Sequence, residues 1–292
     1  MVKALILLLL AVAVFGSAAY WSYELYLKPQ TALTEEKKRP PEPPPPDPSL
    51  ADFEKCALLF KARKLLDARS AFAQFIEQNP QSTKLEEARQ QFGEVNALIF
   101  LTPMYAPEKE EYVVRSGDVL NKVAARMKTT PELILRSNRM TGTLLRIGQR
   151  LMVSPGEFSM VVNKRLGKVT LLNRGKFFRQ YPILTRPGQS QGTPPVKNGS
   201  AVVPSGPKLV GKVSEKIAWA AAGQRVTFSD KEYADASHWI ALSVGGNTLY
   251  SDPGPDSKST VPKPPGGLGL APAYIEELAA LLRKGDPVII EP

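Results

Sequence analysis

The sequence predicts a multidomain α+β protein with four parts: an N-terminal transmembrane helix, a small helical hairpin unit, a βααβ module and a mostly-β sandwich. Three observations lead to this fold class. Residues 4–23 carry no charge, residues 50–98 place apolar side chains at helical spacing, and short strand-like runs dominate from residue 157 onward. A chain of 292 residues is also long enough for two or three modest domains.

Residues 1–28 are predicted to be a membrane anchor or a signal segment. A basic start at Lys3 precedes about twenty uncharged residues, which at ~1.5 Å per residue span a hydrocarbon core of ~30 Å. Aromatic side chains typical of the membrane interface follow: Tyr20, Trp21, Tyr23 and Tyr26. The alternative is a signal peptide cleaved near the small residues 16–18. The first interpretation predicts a single-pass bacterial inner-membrane protein with its bulk in the periplasm, and the second a secreted protein.

Residues 29–49 are predicted to be a proline-rich linker. A run of prolines between positions 40 and 48 favours the extended polyproline II conformation, at ~3.1 Å per residue. Such a segment would hold the following domains away from the membrane, although a docking site for a proline-reading partner is an alternative.

Residues 50–100 are predicted to form helices. Apolar residues at helical spacing mark two successive faces: Phe53, Ala57, Phe60, Leu65, Ala68, Phe72, Phe75 and Ile76. Asn79 and Pro80 end one helix, and Ser82 is expected to cap the next. This spacing resembles a tetratricopeptide hairpin. Because repeats bury their faces by stacking, a single one is expected to pack on another surface or on a protein partner. Cys56, the only cysteine, is expected in the core.

Residues 111–154 contain the most specific pattern. A strand from Tyr112 leads into a helix, a second helix opens with Thr130 as its cap and Pro131 at its first position, and residues 145–153 are predicted to be the return strand. This pattern resembles the LysM family over its whole length. The resemblance implies a βααβ fold that binds the N-acetylglucosamine-containing glycans of peptidoglycan or chitin.

The LysM resemblance also implies a glycan groove between two loops. The first loop contributes Ser116, Gly117, Asp118, Val119 and Leu120, and the second contributes Met140, Thr141, Gly142, Thr143, Leu144 and Leu145. Gly117 and Asp118 have a structural alternative, since the turn and the helix cap need such residues in any case. Asn121 replaces an aromatic residue often found in the family, which removes a stacking surface.

Residues 157–292 are predicted to begin with an antiparallel meander of strands at 158–163, 169–172 and 177–185. This opening, the Gly-Thr-Pro-Pro run at 192–195, and residues 275–278 and 284–290 resemble the L,D-transpeptidase family. The resemblance implies a mostly-β sandwich with a peptide-binding cleft, and stem peptides are therefore further candidate ligands.

The signature of that family, Ser-His-Gly-Cys-Ile-Arg, is missing from the chain. Alignment places Gly267 at the cysteine, Pro265 at the preceding histidine and Gly269 at the arginine, while Tyr250 replaces the other active-site histidine. Acyl transfer by this route needs a thiolate and a base, so no catalytic residue is assigned and the domain is expected to be inactive.

A substitute mechanism through Ser251, Asp252 and His238 is an alternative, although His238 is expected to sit at a strand end. One histidine and one cysteine also argue against a metal site, and no cofactor is expected.

The formal net charge of +10 favours polyanionic partners, and the alternative is a charge that only keeps the protein soluble. Wall polymers, stem-peptide carboxylates and lipid headgroups are the expected ones, because an extracytoplasmic chain rarely meets nucleic acid. The sequence therefore predicts a membrane-anchored envelope protein that binds peptidoglycan and carries an inactive transpeptidase-like domain. The alternatives are a scaffold that recruits wall enzymes through residues 50–100, and an active but atypical transpeptidase or peptidoglycan hydrolase.

Overall fold

The computed structural model describes residues 2–28, 47–185 and 208–292, apart from residues 229, 245, 253, 255–260, 262 and 265. The chain divides into two units, residues 1–47 and 48–292. The second unit mixes helices with a large sheet, which confirms the predicted α+β class.

The first unit is helical. Helix α1 spans Val2–Ser22 and continues as a π-helical turn over Tyr23–Leu27, with Lys28 Nζ 2.8 Å from Glu24 Oε1. Within the described residues, no helix is both long and apolar enough to cross a membrane. The predicted transmembrane helix is therefore not supported. Most of the predicted proline-rich linker, residues 29–46, lies outside the described residues.

The second unit begins with three helices: α2 (Leu50–Lys61), α3 (Leu65–Gln78) and α4 (Leu85–Leu101). Helix α3 ends before Asn79, as the Asn-Pro pair predicts. Ser82 does not cap α4 directly, because its Oγ accepts a hydrogen bond from the Lys84 N–H at 3.0 Å, just before the helix begins. Cys56 is buried among the aromatic residues between the helices, as expected.

These helices are packed onto the sheet of the same chain through α4. The Phe92 and Phe177 rings stack with centroids 6.2 Å apart. Buried Asn96 donates a hydrogen bond from Nδ2 to the Phe178 carbonyl at 2.9 Å, and the Phe100 and Phe178 ring centroids are 5.1 Å apart. The helical segment at residues 50–101 therefore packs on another part of its own chain.

The next segment has the predicted βααβ order. Strand β1 (Glu110–Val113) pairs antiparallel with β2 (Arg150–Val153), and helices α5 (Leu120–Arg126) and α6 (Pro131–Ser137) lie between them in sequence. The Thr130 Oγ1 caps α6 by accepting a hydrogen bond from the Leu133 N–H at 3.0 Å, as predicted. The return strand is shorter than predicted, because residues 145–149 form a loop rather than a strand.

The rest of the chain forms a nine-stranded sheet and one helix. The strands are β3 (Phe158–Asn163), β4 (Lys168–Asn173), β5 (Lys176–Pro182), β6 (Leu209–Trp219), β7 (Arg225–Val226), β8 (Ser237–Leu242), β9 (Thr248–Ser251), β10 (Leu268–Leu270) and β11 (Pro287–Glu291). Their order is β10-β9-β8-β6-β11-β3-β4-β5, and β7 pairs with β6. The strands that were expected to form a sandwich therefore belong to one continuous hydrogen-bonded sheet. The predicted third strand ends at Pro182 instead of residue 185.

Helix α7 (Pro272–Leu281) packs on β8 and β9 and also on α6. At the second of these contacts, the Thr130 Oγ1 donates a hydrogen bond to the Ala280 carbonyl, and Arg136 Nη2 lies 3.2 Å from Glu276 Oε2. From β6, Lys216 Nζ reaches Glu132 Oε1 at 3.0 Å. The βααβ module is therefore joined to the large sheet by polar contacts, of which the Thr130 hydrogen bond is buried.

Candidate functional sites in two loops and a glycine strand

Two loops leave the same end of the small β1–β2 sheet. Val113, the last residue of β1, pairs with Arg150, the first residue of β2. The loop that follows β1 and the loop that precedes β2 therefore start side by side. Hydrogen bonds from the Val114 N–H to the Gln149 carbonyl and from the Gly148 N–H to the Val114 carbonyl, both 2.9 Å, keep them together. The sequence placed its glycan groove between these loops.

Most of the predicted groove residues are accessible on these loops. Val119 is 51% exposed and Leu144 is 84% exposed. The remaining exposed members are Ser116, Gly117, Thr141, Gly142 and Thr143. Met140 and Leu145 are half-buried and pack against the core of the module. Ile147, 75% exposed, adds another apolar surface to the second loop. Ile147 was not among the predicted groove residues, because the sequence pattern predicts a return strand at this position.

Leu120 does not belong with the predicted ligand contacts. It is only 2% exposed and packs in the core of the module with Val123 and Leu151. Leu120 is the first residue of α5, where the apolar helix face turns inward. Leu120 therefore holds the end of the first loop against the core of the module.

Asp118 holds the first loop in shape. Its Oδ2 accepts hydrogen bonds from the Tyr112 hydroxyl at 2.6 Å and from the Arg115 N–H at 2.8 Å, and Arg126 Nη1 lies 3.4 Å from Oδ1. These bonds, led by that of Tyr112, lower the pKa of Asp118. Helix α5 begins two residues later, after Val119, so Asp118 is not its cap. The loop turns through Gly117, whose φ of 81° favours glycine.

The second candidate site surrounds Gly267 and Gly269, the glycines that were predicted to stand in place of the transpeptidase signature. Strand β10 pairs parallel with β9, and Gly269 lies opposite Tyr250. A Cβ on Gly267 would lie 2.7 Å from Pro264 Cγ and 2.8 Å from Tyr250 Cδ1. A Cβ on Gly269 would lie 2.9 Å from Asp252 Cβ. The side-chain space at both glycines is therefore already occupied. Pro265 lies outside the described residues, as do residues 192–195.

Asp252 is the charged group of this second site. It is buried, and it accepts hydrogen bonds from the Thr185 hydroxyl and, at 3.2 Å, from the Gly254 N–H, while Lys263 Nζ lies 3.4 Å away. Burial raises the pKa of Asp252, but these hydrogen bonds and the Lys263 charge bring it below the ordinary value. Burial, together with the charge of Asp252, raises the pKa of the Tyr250 hydroxyl. The site thus holds an ionised carboxylate beside a neutral phenol.

Ser251, Asp252 and His238 do not form a triad. Trp239 pairs with Tyr250 across β8 and β9, so Asp252 projects to the same face as Trp239 and to the opposite face from His238. The His238 Nδ1 lies 2.8 Å from the Glu276 carboxylate. His238 is the second residue of β8, as expected for a residue at a strand end. Within the described part of the chain, no three His, Cys, Asp or Glu side chains are grouped for metal binding.

Two comparisons with known proteins gave matches, one to residues 112–154 and one to about half of the chain. The family model described as LysM domain matches residues 112–154. No curated protein sequence matches the chain. Among solved structures, an L,D-transpeptidase from Mycobacterium smegmatis aligns at 16% identity with a TM-score of 0.29, covering 50% of this chain and 64% of that chain. The chain thus spans slightly less than two thirds of that structure.

Two further L,D-transpeptidases align over longer stretches. That from Xylanimonas cellulosilytica is 12% identical with a TM-score of 0.28, and the alignment covers 64% of this chain and 99% of that chain. A variant from Enterococcus faecium is 13% identical with a TM-score of 0.28, covering 68% and 82% respectively. Residues 112–154 form a LysM domain, and about half of the chain is structurally similar to L,D-transpeptidases.

Proposed function

We propose that this chain binds the N-acetylglucosamine-containing glycan of peptidoglycan through the two loops of its LysM domain. The observation that carries the proposal is the exposed apolar surface of Val119 and Leu144 on loops that leave the same end of one small sheet. Exposed apolar side chains can pack on sugar faces, while loop amides and carbonyls hydrogen-bond the N-acetyl groups. The hydrogen bonds of Asp118 and the burial of Leu120 hold the loop that carries Val119 in place.

We infer that the large sheet contributes binding or scaffolding rather than cysteine chemistry. At Gly267 the nucleophile is absent and Tyr250 occupies the space that its side chain would need. The ionised Asp252 and the neighbouring Lys263 are polar groups of this site that could contact a stem peptide. Because peptidoglycan lies outside the cytoplasm, the proposal places residues 48–292 there. Residues 1–28 would serve export, either as a retained anchor or as a cleaved signal.

The test is co-sedimentation of the protein with purified peptidoglycan sacculi. Leu144→Asp should reduce the pelleted fraction several-fold, because a charge would replace an apolar contact to the sugar. The matched control is Val210→Asp, which places the same charge on another exposed apolar residue, 73% exposed and outside the LysM domain. Equal pelleting of the two variants would place recognition outside these loops.

A further inference from the structure

The LysM domain carries a large excess of positive charge. Residues 112–154, all of which the structure describes, contain eight Lys and Arg side chains against two carboxylates, Asp118 and Glu132. Both carboxylates are already paired, Asp118 with Arg126 Nη1 at 3.4 Å and Glu132 with Lys216 Nζ at 3.0 Å. The domain therefore has no free carboxylate of its own to balance its remaining cations.

Five of the eight cations form no ion pair within the described part of the chain. The other three are held by carboxylates: Arg126, Arg136 and Arg150. The five that remain all have exposed side chains: Arg115, Lys122, Lys128, Arg139 and Arg146. Unpaired cations on one small domain attract an anionic partner through their summed electrostatic field.

Two of these free cations lie on the two loops of the proposed glycan groove. Arg115 follows Val114 on the first loop, and Arg146 lies two residues before Gly148 on the second. The loops are joined at this point, because the Gly148 N–H donates a hydrogen bond to the Val114 carbonyl at 2.9 Å. The two arginines therefore leave neighbouring stretches of backbone at one end of the β1–β2 sheet.

Each of the two arginines begins a turn that holds its backbone in place. The Arg115 N–H donates to Asp118 Oδ2 at 2.8 Å, and the Asp118 N–H donates back to the Arg115 carbonyl at 3.2 Å. In the same way, the Arg146 N–H donates to Gln149 Oε1 at 3.0 Å, and the Gln149 N–H donates to the Arg146 carbonyl at 2.9 Å. A ligand would therefore have to order only the two side chains, which limits the entropy cost of binding.

Exposed apolar side chains accompany these cations. Leu144 and Ile147 lie close to Arg146 on the second loop, and Val119 follows Arg115 on the first. A neutral glycan would cover the apolar side chains and leave the arginines unpaired, whereas a phosphodiester polymer would pair the arginines and leave the apolar side chains in water. A ligand that combines a sugar face with a carboxylate matches both features of the surface.

We propose that the two loops bind a glycan that carries carboxylates, and that Arg115 and Arg146 select it over a neutral glycan. The planar guanidinium group of arginine pairs with a carboxylate through two parallel hydrogen bonds. In peptidoglycan the carboxylate has two sources, the lactyl group of a sugar that lacks its stem peptide, or the stem peptide itself. The inference rests on the proposed function and narrows its ligand from any N-acetylglucosamine-containing glycan to the carboxylated ones.

The test is isothermal titration of the full chain with three tetrasaccharides. Chitotetraose is neutral, a peptidoglycan tetrasaccharide without stem peptides carries free lactyl carboxylates, and the same tetrasaccharide with stem peptides carries only peptide carboxylates. We expect a carboxylated tetrasaccharide to bind more tightly than chitotetraose, and the tighter of the two identifies the source. Arg115→Gln and Arg146→Gln should each weaken that binding about tenfold, the loss expected for one charge-assisted hydrogen bond, and should change chitotetraose binding less than twofold.

Lys128→Gln is the matched control for net charge. Lys128 is another exposed cation of the LysM domain, but its carbonyl accepts a hydrogen bond at 3.2 Å from the N–H of Gly156, which follows the last residue of β2. Lys128 therefore lies near the end of β2 that points away from the loops. Its substitution removes the same charge and should change all three affinities less than twofold. Equal losses in Lys128→Gln and Arg146→Gln would overturn the proposal in favour of the overall field of the domain.

Two results with the parent protein would also overturn the proposal. One is equal binding of the three tetrasaccharides, and the other is tighter binding of a glycerol phosphate oligomer, which carries anions without sugar faces. Leu144→Asp separates this inference from the proposed function. If chitotetraose binding depends on Leu144 but no carboxylated ligand is preferred, only the inference fails. If Leu144→Asp leaves the binding of every tetrasaccharide unchanged, the proposed function itself fails.

Discussion

Tyr250 fills the space that a side chain at Gly267 would need. A Cβ built on Gly267 would lie 2.8 Å from Tyr250 Cδ1 and 2.9 Å from Tyr250 Cε1. Contacts under 3.0 Å between such atoms force a displacement, and the tyrosine is itself only 3% exposed. The glycine at position 267 and the tyrosine at position 250 are therefore coupled features of one packed site.

This coupling predicts a non-additive pair of substitutions. Gly267→Ala alone should lower the free energy of unfolding by about 1–3 kcal/mol, since it overpacks the site. Tyr250→Ala alone should cost about 3–5 kcal/mol by leaving a cavity. In the double variant the added methyl group enters that cavity, so the combined loss should be smaller than the sum. Urea unfolding of the four proteins measures the interaction term. Strict additivity would show that the ring and the glycine do not exclude each other.

The Asp118 network predicts a loss of stability without a loss of glycan contacts. Asp118→Ala removes the acceptor for the Tyr112 hydroxyl and the Arg115 N–H, which should lower the free energy of unfolding. Chitotetraose affinity, measured by titration well below the unfolding temperature, should change less than twofold. Leu144→Asp is the complementary control, with weaker binding and little change in stability. A large loss of affinity in folded Asp118→Ala would instead make Asp118 a ligand contact.

The contrast between Thr130 and Leu120 shows how far local sequence patterns reach. The cap at Thr130 was predictable because a hydroxyl before a proline-led helix bonds its own backbone three residues later. Leu120 was assigned to the ligand surface by family resemblance, whereas its burial depends on how α5 packs into the core of the module. The spacing of apolar residues along α5 was the feature of the sequence that could have predicted this burial.

Contacts between distant segments could not be predicted from local patterns. Asn96 donates a hydrogen bond to the Phe178 carbonyl, 82 positions further along the chain, and no pattern near either residue predicts this contact. A cavity beside His238 likewise collects residues from α6, β8 and α7. The isolated histidine was correctly expected at a strand end, but its pairing with Glu276 depends on how the helix packs across the sheet.

The close approach of α4 to β5 predicts that helices and sheet unfold together. A Cβ on Gly93 would lie 2.9 Å from Arg179 Cγ and 3.0 Å from its Cα. Arg179 cannot easily move away, because its Nη1 is held 3.0 Å from Glu277 Oε2. Gly93→Leu should therefore destabilise the protein by about 1–3 kcal/mol despite the higher helix propensity of leucine. The exposed neighbour Glu94→Leu is the control.

Scanning calorimetry of Gly93→Leu should show the main unfolding transition moving to lower temperature as a whole. If the helices instead melted in a separate early transition while the rest kept the parent temperature, the α4–β5 contact would not couple the two parts.

Asp252 predicts an acid-dependent part of the stability. Its pKa in the folded protein lies below the value of about 3.9 expected for an unfolded aspartate, so the unfolded chain binds the proton more readily. The stabilisation is therefore complete above the unfolded pKa and is lost as the pH falls through the folded pKa. Asp252→Asn should cost about 1–3 kcal/mol at pH 7, because the amide accepts the Thr185 and Gly254 hydrogen bonds without the charge.

The difference between Asp252→Asn and the parent protein should shrink as the pH falls from 5 towards 3, when the parent carboxylate becomes protonated as well. Urea unfolding at several pH values measures it. The matched control is Asp67→Asn, which changes an exposed aspartate on α3 and should alter stability little at any of these pH values. A penalty for Asp252→Asn that stayed constant with pH would mean that the carboxylate acts through its shape and hydrogen bonds rather than through its charge.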